Sequence, residues 1–423
     1  MSSGPASPGS LDRAAVAALA GASPAREVLA LLNTGGEEAR LVGGAVRNAL
    51  IGRPVADIDV CTTALPDAVM RRAEGAGLRT VPTGLDHGTV TLLVGRRPVE
   101  VTTLREDVAT DGRHAVVRFG RDFVADALRR DFTLNALSAG PDGRVHDHAG
   151  GLDDLAAGRV RFIGDAATRI REDYLRILRL FRFHAAFAHG SLDAQGLAAC
   201  VAERAGLARL SPERVRVELL KLLAAERALP VLEEVAGTGL LALILGGVAE
   251  FGRAARAHAP EQGSRDPVRV LAALAVQVAE DADRLRDRLR LSNEEHRRLA
   301  AYADAVARLR STPEPLTPAD ARRLAAGFEA AALADALAVL RGEPRPAADA
   351  ETWAALGRFS RGEEPRPVLP LRGADLVAAG VARGPEIGRL IAEARRLWLA
   401  AGCPEGEGVR PGLLAAVLEP AAE

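Results

Sequence analysis

The spacing of hydrophobic residues in the first part of the chain alternates between the two-residue period of strands and the longer period of helices. It predicts amphipathic helices in 11–32, a short strand ending at 42, a helix at 45–51, a strand at 57–61, a helix at 66–76, and antiparallel strands at 89–94 and 99–103. We therefore expect residues 11–150 to form an α+β domain with a small mixed sheet.

Strand-like patterns nearly disappear after residue 150, and from residue 166 onward the chain is predicted to be helical, with breaks at glycine and proline. The charged stretch 106–125 has little periodicity, so we predict a long loop of the kind that is usually functional or disordered. We expect a division into a disordered lead at 1–10, the α+β domain at 11–150, and three helical parts at 151–223, 224–345 and 346–423.

Composition narrows the class of protein. The chain has 423 residues, of which 48% are apolar, enough for two to four packed domains. The net charge is −1, so any contact with nucleic acid has to use local basic surfaces rather than a global positive field. Arginine supplies nearly all of the positive charge, because Lys221 is the only lysine.

The cysteines indicate a reducing compartment. Cys61, Cys200 and Cys403 are far apart and form no Cys-x-x-Cys pair, which argues against a disulfide framework and against a zinc ribbon. The apolar stretch 14–20 is too short for a signal sequence or a membrane span. We expect a cytoplasmic protein without membrane attachment.

Clustered acidic residues are the strongest chemical signal in the sequence. Asp57 and Asp59 lie two positions apart in a predicted strand, so both side chains should share one face, and the strand that carries Glu100 could lie beside them. Three carboxylates together favour divalent cations, because their mutual repulsion is otherwise unfavourable. The ordinary alternatives are a solvated strand end for the aspartates and an exposed ion pair for Glu100.

A glycine pair precedes this acidic cluster. Gly43 and Gly44 open a predicted helix, and free N–H groups at a helix start suit phosphates. Arg47 in the same helix would add the bidentate donor that phosphate prefers. Its ordinary alternative is an exposed helix arginine.

Two later runs carry candidate nucleotide contacts. In the first, Asp131 and Asn135 are four apart, so on a helix they would share a face able to hold a ribose, next to Arg130. In the second, Asp173 and Arg176 could read a base edge that offers an amine and an adjacent ring acceptor, which cytosine and adenine share; Arg179 and Arg182 lie further round the same helix. The alternatives are a capping Asp with a buried Asn, and an ordinary salt-bridged helix face.

These runs together resemble the class II tRNA nucleotidyltransferase/poly(A) polymerase family. The resemblance is strongest from residue 41 to about 223 and rests on motifs that follow in family order at 43–47 with 57–59, 129–137, 150–165, 172–176 and 212–221. It implies a palm-like α+β nucleotidyltransferase head, followed by an all-helical neck, body and tail, with the tail binding tRNA.

The resemblance also implies roles for single residues. Asp57 and Asp59 would bind two Mg²⁺ ions, with Glu100 as a third carboxylate. Gly43, Gly44 and Arg47 would meet the triphosphate, Asp131 the ribose, and Asp173 and Arg176 the incoming base. Further nucleotide-binding candidates are Arg130, Asn135, Arg179 and Arg182. Arg214 and Glu218 would brace the base-reading helix. Asn48 departs from the family, which usually carries Asp there.

Within the family, the features of the segment 83–91 and the long stretch 106–125 resemble enzymes that add C, C and A to the tRNA 3′ end, from CTP and ATP. The expected partners are therefore tRNA, through its 3′ end and acceptor/TΨC arm, and the two nucleotides. The rival functions are poly(A) synthesis, partial CC- or A-addition and, more remotely, non-catalytic RNA binding. The sequence leaves the oligomeric state open.

Overall fold

In a computed structural model of the protein, residues 11–85, 88–110, 115–259 and 265–419 are described. The chain divides into two compact units, the first ending at Ile244 and the second beginning at Leu245. The predicted lead at 1–10 lies outside the described residues. The finer boundaries at 151, 224 and 346 stay predictions.

The first unit combines one larger sheet, a two-stranded sheet and twelve helices among the described residues. Its helices are α1 (Arg13–Gly21), α2 (Ala25–Leu32), α3 (Gly44–Leu50), α4 (Pro66–Gly75), α5 (Phe123–Leu128), α6 (Gly151–Ala156), α7 (Ala166–Glu172), α8 (Arg176–Phe187), α9 (Ala194–Ala202), α10 (Pro212–Leu223), α11 (Ala228–Ala236) and α12 (Leu240–Leu245), whose last residue opens the second unit. Its strands are β1 (Ala39–Val42), β2 (Asp59–Thr62), β3 (Arg79–Gly84), β4 (Thr89–Val94), β5 (Arg97–Thr103), β6 (Arg105–Thr110), β7 (Ala115–Phe119), β8 (Ser138–Ala139) and β9 (Val145–His146).

The larger sheet is mixed, as predicted. Its seven described strands follow the order β3-β4-β5-β2-β1-β8-β9, and β2 and β5 are its parallel pair. Asp59 lies opposite Glu100 in that pair, and Val60 lies opposite Val101. Because side chains alternate across a strand, the two valines point into the core while the two acids share the other face.

The helices α1, α2 and α4 cover the apolar face of this sheet. Their buried side chains, such as Val16, Leu29 and Val69, join strand residues such as Leu41 and Val101 in one hydrophobic core. Each fully buried aliphatic side chain contributes about 1.5–3 kcal/mol relative to exposure. With this face filled, the polar face of the β2–β5 pair is left for chemistry.

The structure corrects one predicted strand boundary. Strand β2 begins at Asp59, two residues later than predicted, so Asp57 precedes the strand. The predicted position of Glu100 beside Asp59 is confirmed, because the register of the parallel pair sets the two residues opposite each other.

The stretch 106–125 was wrongly predicted as a loop. Its described residues fall mainly in β6, β7 and the start of α5, and β6 pairs with β7 in an antiparallel two-stranded sheet. The backbone groups of each strand find their hydrogen-bond partners in the other strand, within one local segment. Hydrophobic periodicity did not reveal these two strands. Residues 111–114 lie outside the described residues, as do Asp86 and His87 in the segment 83–91.

The two predicted helical runs are also interrupted. Residues 131–135 contain a 3₁₀ turn at Thr133–Asn135 instead of an α-helix. Asp173 is extended between α7 and α8, and its Oδ1 accepts a hydrogen bond from the Leu175 N–H (3.1 Å). A side chain that bonds to nearby backbone in this way competes with the helix, which explains the break.

The second unit is helical throughout its described residues. Its further helices are α13 (Phe251–Ala257), α14 (Pro267–Ala275), α15 (Ala279–Leu289), α16 (Asn293–Arg310), α17 (Pro318–Gly327), α18 (Ala330–Leu340), α19 (Ala350–Arg361), α20 (Gly373–Ala378), α21 (Pro385–Ala400) and α22 (Val409–Leu418). The α+β head followed by a helical remainder confirms the predicted fold class.

Among the described residues, no single helix has both the length and the apolar character to cross a membrane. Helices α1 and α2 reach those limits only when they are taken together, and they meet at a bend of 73°.

A buried ion-pair network ties the second unit together. Asp335 on α18 is fully buried and accepts hydrogen bonds from Arg269 Nε (2.8 Å) and from Arg298 Nε (2.6 Å) and Nη2 (2.8 Å). Arg298 also binds Asp266, the N-cap of α14 (2.5 Å). One carboxylate therefore links three helices.

Replacing this carboxylate should destabilise the second unit strongly. We expect Asp335→Ala to lower its free energy of unfolding by about 3–5 kcal/mol, because Arg269 loses this buried carboxylate and Arg298 loses one of its two. Both tryptophans, Trp353 and Trp398, lie in this unit, so tryptophan fluorescence during urea unfolding reports on it selectively. As control, Glu386→Ala breaks an exposed pair with Arg389 and should cost less than about 1 kcal/mol. Equal losses in both variants would contradict the network's importance.

Candidate active site

A cavity of 830 Å³ in the first unit brings most of the predicted site residues together. It lies between the polar face of the β2–β5 pair and the helices α8 and α10. The predicted residues that line it are Gly43, Gly44, Arg47, Asp59, Glu100, Arg130, Asp131, Asn135, Asp173, Arg176, Arg179, Arg182 and Arg214. Asp57 and Glu218 are not among the lining residues, although both act on residues that are.

Asp59 and Glu100 form the acidic end of this cavity. Asp59 is partly buried, and Glu100 is exposed directly opposite it in the sheet. Burial raises the Asp59 pKa above its ordinary value, and the carboxylates of Glu100 and Asp57 raise it further, while Arg130 opposes them. The three carboxylates are therefore close enough to repel one another.

This donor set suits a divalent cation. Among the described residues, no three His, Cys, Asp or Glu side chains already surround a single point as a finished metal centre. Mg²⁺ is commonly held by only one or two carboxylates, with water and substrate phosphate completing the shell. Burial and the neighbouring carboxylates of Glu100 and Asp57 raise the Asp59 pKa, and a bound cation would favour the ionised form against both effects.

The backbone conformation at position 43 explains the first glycine of the pair. Gly43 has φ = +62°, which favours glycine, and a side chain there would approach Arg130 Nη1 to 3.2 Å. The Gly43 N–H already donates to the Leu137 carbonyl (2.9 Å), so it is not free for a phosphate. Gly44 begins α3, where first-turn N–H groups lack partners within the helix, and it faces the cavity.

Arg47 is buried, contrary to its ordinary interpretation as an exposed helix residue. Its guanidinium donates to Asn135 Oδ1 (2.6 Å) and to Asn48 Oδ1 (2.9 and 3.1 Å), and it lies 3.9 Å from the centre of the Phe187 ring. Burial lowers the Arg47 pKa to about 9, helped by repulsion from Arg182 and other nearby arginines. A fixed cation held by neutral amides is well suited to receive an anion.

Asn48 keeps an acceptor for Arg47 that an Asp could also supply. Its Oδ1 binds two nitrogens of Arg47, and its Nδ2 donates to the Pro54 carbonyl (3.2 Å), a bond that an ionised Asp could not make. The departure from the family therefore keeps the contact with Arg47, adds one donor and removes one negative charge beside Arg47.

Asp131 links three parts of the chain. Its Oδ1 accepts from the Phe132 N–H (2.9 Å) and Asn135 Nδ2 (3.0 Å), and its Oδ2 accepts from Arg179 Nε (2.7 Å). Burial alone would raise its pKa, but Arg179 and these hydrogen bonds outweigh burial and lower the Asp131 pKa. The i, i+4 contact with Asn135 was predicted, although the turn that produces it is not an α-helix.

Arg130 forms the wall behind the acidic end. It binds Asp126 Oδ2 (3.2 Å), the Asn135 carbonyl (3.2 Å) and the Cys61 sulfur (3.3 Å). Arg129 binds the other oxygen of Asp126 (2.5 Å). Asp126 was missed in the sequence, although its position three and four residues before the two arginines is the ordinary signal for helical ion pairs.

Asp173 and Arg176 are held by different partners rather than by each other. Asp173 Oδ2 accepts from Arg214 Nη2 (2.7 Å), while Arg176 Nη1 donates to Glu172 Oε2 (2.5 Å) and to the Arg169 carbonyl (2.8 Å). They therefore do not form the ion pair of the ordinary alternative, and the prediction of one continuous helix is wrong because the chain is extended at Asp173. Both side chains still line the cavity.

Tyr174 anchors this break from behind. Its ring packs against Gly206 in the 3₁₀ helix Arg204–Arg209 so closely that a Cβ at Gly206 would fall 1.9 Å from a ring carbon. The guanidinium of Arg209 also lies over the ring, 5.5 Å from its centre. The backbone next to Asp173 is therefore fixed by packing as well as by Arg214.

Glu218 braces α8 from α10. Its Oε2 accepts from Arg182 Nε (2.5 Å), and its other oxygen lies 3.9 Å from Arg179. Arg182 also stacks on Phe183, 4.2 Å from the ring centre. Arg214 and Glu218 thus make the contacts expected of supporting residues. The stacking of Arg47 on Phe187 and of Arg182 on Phe183 was missed, although the i, i+4 spacing of the two rings places them on one helix face.

Comparison with known proteins gives two family-model matches, which lie mainly in the first unit. The family model "Poly A polymerase head domain" matches residues 39–161, and "Probable RNA and SrmB- binding site of polymerase A" matches residues 191–251. The mouse CCA tRNA nucleotidyltransferase 1, mitochondrial, is 34% identical over 380 residues, which cover 86% of this chain and 83% of the mouse protein. The zebrafish (Danio rerio) protein of the same name is 43% identical over 266 residues, 61% of either chain.

Bacterial relatives and solved structures agree. The CCA-adding enzyme of Geobacillus thermodenitrificans is 37% identical over 314 residues, covering 72% of this chain and 74% of that protein. The crystal structure of the Bacillus stearothermophilus CCA-adding enzyme with CTP superposes with a TM-score of 0.69 at 29% identity, covering 93% of this chain and 95% of that one. The Thermotoga maritima enzyme complexed with tRNA has a TM-score of 0.67 at 20% identity over 96% of this chain and 98% of that one, which shows the shared fold.

The resemblance found in the motifs is thus confirmed by relatives that match along most of their own length. The chain belongs to the tRNA nucleotidyltransferase/poly(A) polymerase family.

Proposed function

We propose that this protein adds C, C and A to the 3′ end of tRNA from CTP and ATP, without a nucleic-acid template and with release of pyrophosphate. The observation that carries the proposal is a single cavity with acids at Asp59 and Glu100 and a base-reading pair at Asp173 and Arg176. Relatives named as CCA-adding enzymes, one solved with CTP, support the same function.

The reaction joins the tRNA 3′-hydroxyl to the α-phosphate of the nucleotide, and pyrophosphate leaves. Gly44 and Arg47 hold the triphosphate, since one offers a helix-start N–H and the other a desolvated guanidinium. Asp131 and Asn135 orient the ribose from the middle of the cavity. Holding both reactants in place supplies much of the rate enhancement in such transfers.

Enzymes of this family use divalent metal ions, and we infer two Mg²⁺ ions at Asp57 and Asp59, with Glu100 as the third carboxylate. When bound, such ions activate an attacking hydroxyl and neutralise charge on the phosphates. The chain's own contribution is to hold the carboxylates together at the edge of β2 and β5, and to keep Arg130 behind them.

Base selection follows from the edge that Asp173 and Arg176 present. A carboxylate accepts from an exocyclic amine and a guanidinium donates to the adjacent ring nitrogen, so cytosine and adenine fit, while uracil and guanine present a carbonyl and an N–H. Arg214 and Glu172 hold the pair at fixed positions. Arg179 and Arg182 extend the same wall of the cavity. Cytoplasmic location stays a prediction.

The length of the product tests the proposed function. Incubated with tRNA that lacks its terminal CCA, with CTP and ATP, the protein should add three nucleotides and stop. Gel sizing with labelled CTP or ATP measures this. A long adenosine tail would instead indicate a poly(A) polymerase, a stop after two nucleotides a CC-adding enzyme, and tRNA binding without pyrophosphate release a non-catalytic protein.

Loss of Asp59 should abolish transfer of both nucleotides. We expect Asp59→Ala to lower the incorporation of CTP and of ATP by roughly 10⁴-fold, as removal of a catalytic group typically does. Binding of trimmed tRNA, measured by filter retention, should survive, because the substitution removes charge and no core packing. The control Asp67→Ala changes an exposed acid on α4 and should keep full activity. Retained activity in Asp59→Ala would remove the assignment.

Loss of Asp173 should relax the choice of nucleotide. We expect Asp173→Ala to narrow the ratio of CTP to UTP incorporation by about 10- to 100-fold, the size of a hydrogen bond to a charged group. Competition assays with all four nucleotides measure the ratio, and Asp153→Ala, an exposed acid outside the cavity, serves as control. Unchanged rejection of UTP would count against base reading by Asp173.

A further inference from the structure

The only lysine of the chain lies in the cavity. Lys221 is on α10, seven residues after Arg214 and three after Glu218, so all three residues share one face of the helix. Arg214 and Glu218 support other side chains, and Lys221, like Arg214, lines the cavity. The Lys221 ammonium has no hydrogen-bond or ion-pair partner among the described residues.

The ion pairs of the cavity distinguish Lys221 and Arg47 from its other cationic side chains. Six lining arginines each pair with a carboxylate within 3.2 Å: Arg129 and Arg130 with Asp126, Arg176 with Glu172, Arg179 with Asp131, Arg182 with Glu218, and Arg214 with Asp173. Arg47 binds the neutral amides of Asn48 and Asn135. Among the described residues, Arg47 and Lys221 are therefore the two cations of the cavity that form no direct ion pair with a carboxylate.

The order of contacts between α8 and α10 locates Lys221 along the cavity. Arg214 binds Asp173, just before α8 begins; Glu218 binds Arg182 in the middle of α8; and the Arg227 N–H donates to the Ala185 carbonyl (3.3 Å) near its end. In the sequence, Lys221 comes between Glu218 and Arg227, so it lies between the contacts that these two residues make with α8. It therefore lies toward the end of the cavity remote from the base-reading pair.

Arg47 marks the same end. Its guanidinium stacks on Phe187, the last residue of α8, and is 5.4 Å from the centre of the Phe183 ring. From Arg176 to Phe187 the helix spans about 16 Å at 1.5 Å per residue. A nucleotide whose base is read near Asp173 thus extends its phosphates toward Arg47 and Lys221.

We propose that Lys221 binds the terminal phosphates of the nucleoside triphosphate, together with Arg47, and holds the pyrophosphate as it leaves. This inference rests on the proposed function for the identity of the nucleotide. An ammonium on a flexible stem is a mobile point charge with three donors, so it can follow phosphates that move during departure, whereas the planar fork of arginine fixes one geometry.

Binding of CTP and CMP to the same variants tests the proposal without requiring catalysis. Titration calorimetry in the presence of Mg²⁺ compares the unmodified protein with Lys221→Gln. We expect the affinity for CTP to fall about 10-fold, the size of a charge-assisted hydrogen bond, and the affinity for CMP to change less than about 2-fold, because CMP lacks the terminal phosphates. Inorganic pyrophosphate should bind about 10-fold more weakly as well.

Two further variants sharpen the result. Lys221→Arg keeps the charge and should recover part of the CTP affinity. Arg204→Gln removes the same charge from an exposed position outside the cavity and should leave the CTP affinity unchanged.

Other outcomes would overturn the assignment. Equal weakening of CTP and CMP would mean general damage to the site, and no change in either would mean that Lys221 does not touch the nucleotide. Weaker binding of trimmed tRNA, with CTP unaffected, would place Lys221 on the RNA backbone. Because binding is measured directly, a failure of CCA addition would not affect this test.

Discussion

The site depends on one buried chain of hydrogen bonds, in which Arg179 binds Asp131, Asp131 binds Asn135, and Asn135 binds Arg47. These residues come from α8, from the 3₁₀ turn and its approach, and from α3, which share no local sequence. Each member is oriented by the next, because Asn135 donates with its amide nitrogen and accepts with its oxygen. The phosphate end and the base end of the cavity are thus set in one framework before a nucleotide arrives.

Around this framework, charge is distributed with a clear division. Most arginines of the cavity are neutralised by carboxylates of the protein and act as structural supports. Among the described residues, charged groups without a direct ion pair are found at Asp59 and Glu100 on one side and at Arg47 and Lys221 on the other. A triphosphate with its metal ions carries both signs and would balance both, which makes binding of the combined ligand more favourable than binding of either part.

Much of this arrangement could be predicted from the sequence, since the motifs named the residues and hydrophobic periodicity gave the α+β head and the helical remainder. Register and local side-chain bonding could not be predicted. Glu100 was expected beside the aspartates, but spacing could not reveal the parallel pairing that sets it opposite Asp59. Asp173 breaks a run that looks like one helix, because its side chain accepts a hydrogen bond from the Leu175 N–H. The support Asp126 was overlooked for a different reason, because an ordinary helical ion pair does not indicate function until its arginines are seen to line a cavity.

The contact between Tyr174 and Gly206 has a consequence for how such an enzyme can diverge. The ring leaves no space for even a methyl group on the facing backbone. Any larger residue at 206 would push the Tyr174 ring and so displace the adjoining Asp173 carboxylate, although position 206 itself does not line the cavity. A mutation at position 206 is therefore expected to change nucleotide preference, although contacts with the ligand would not identify this position.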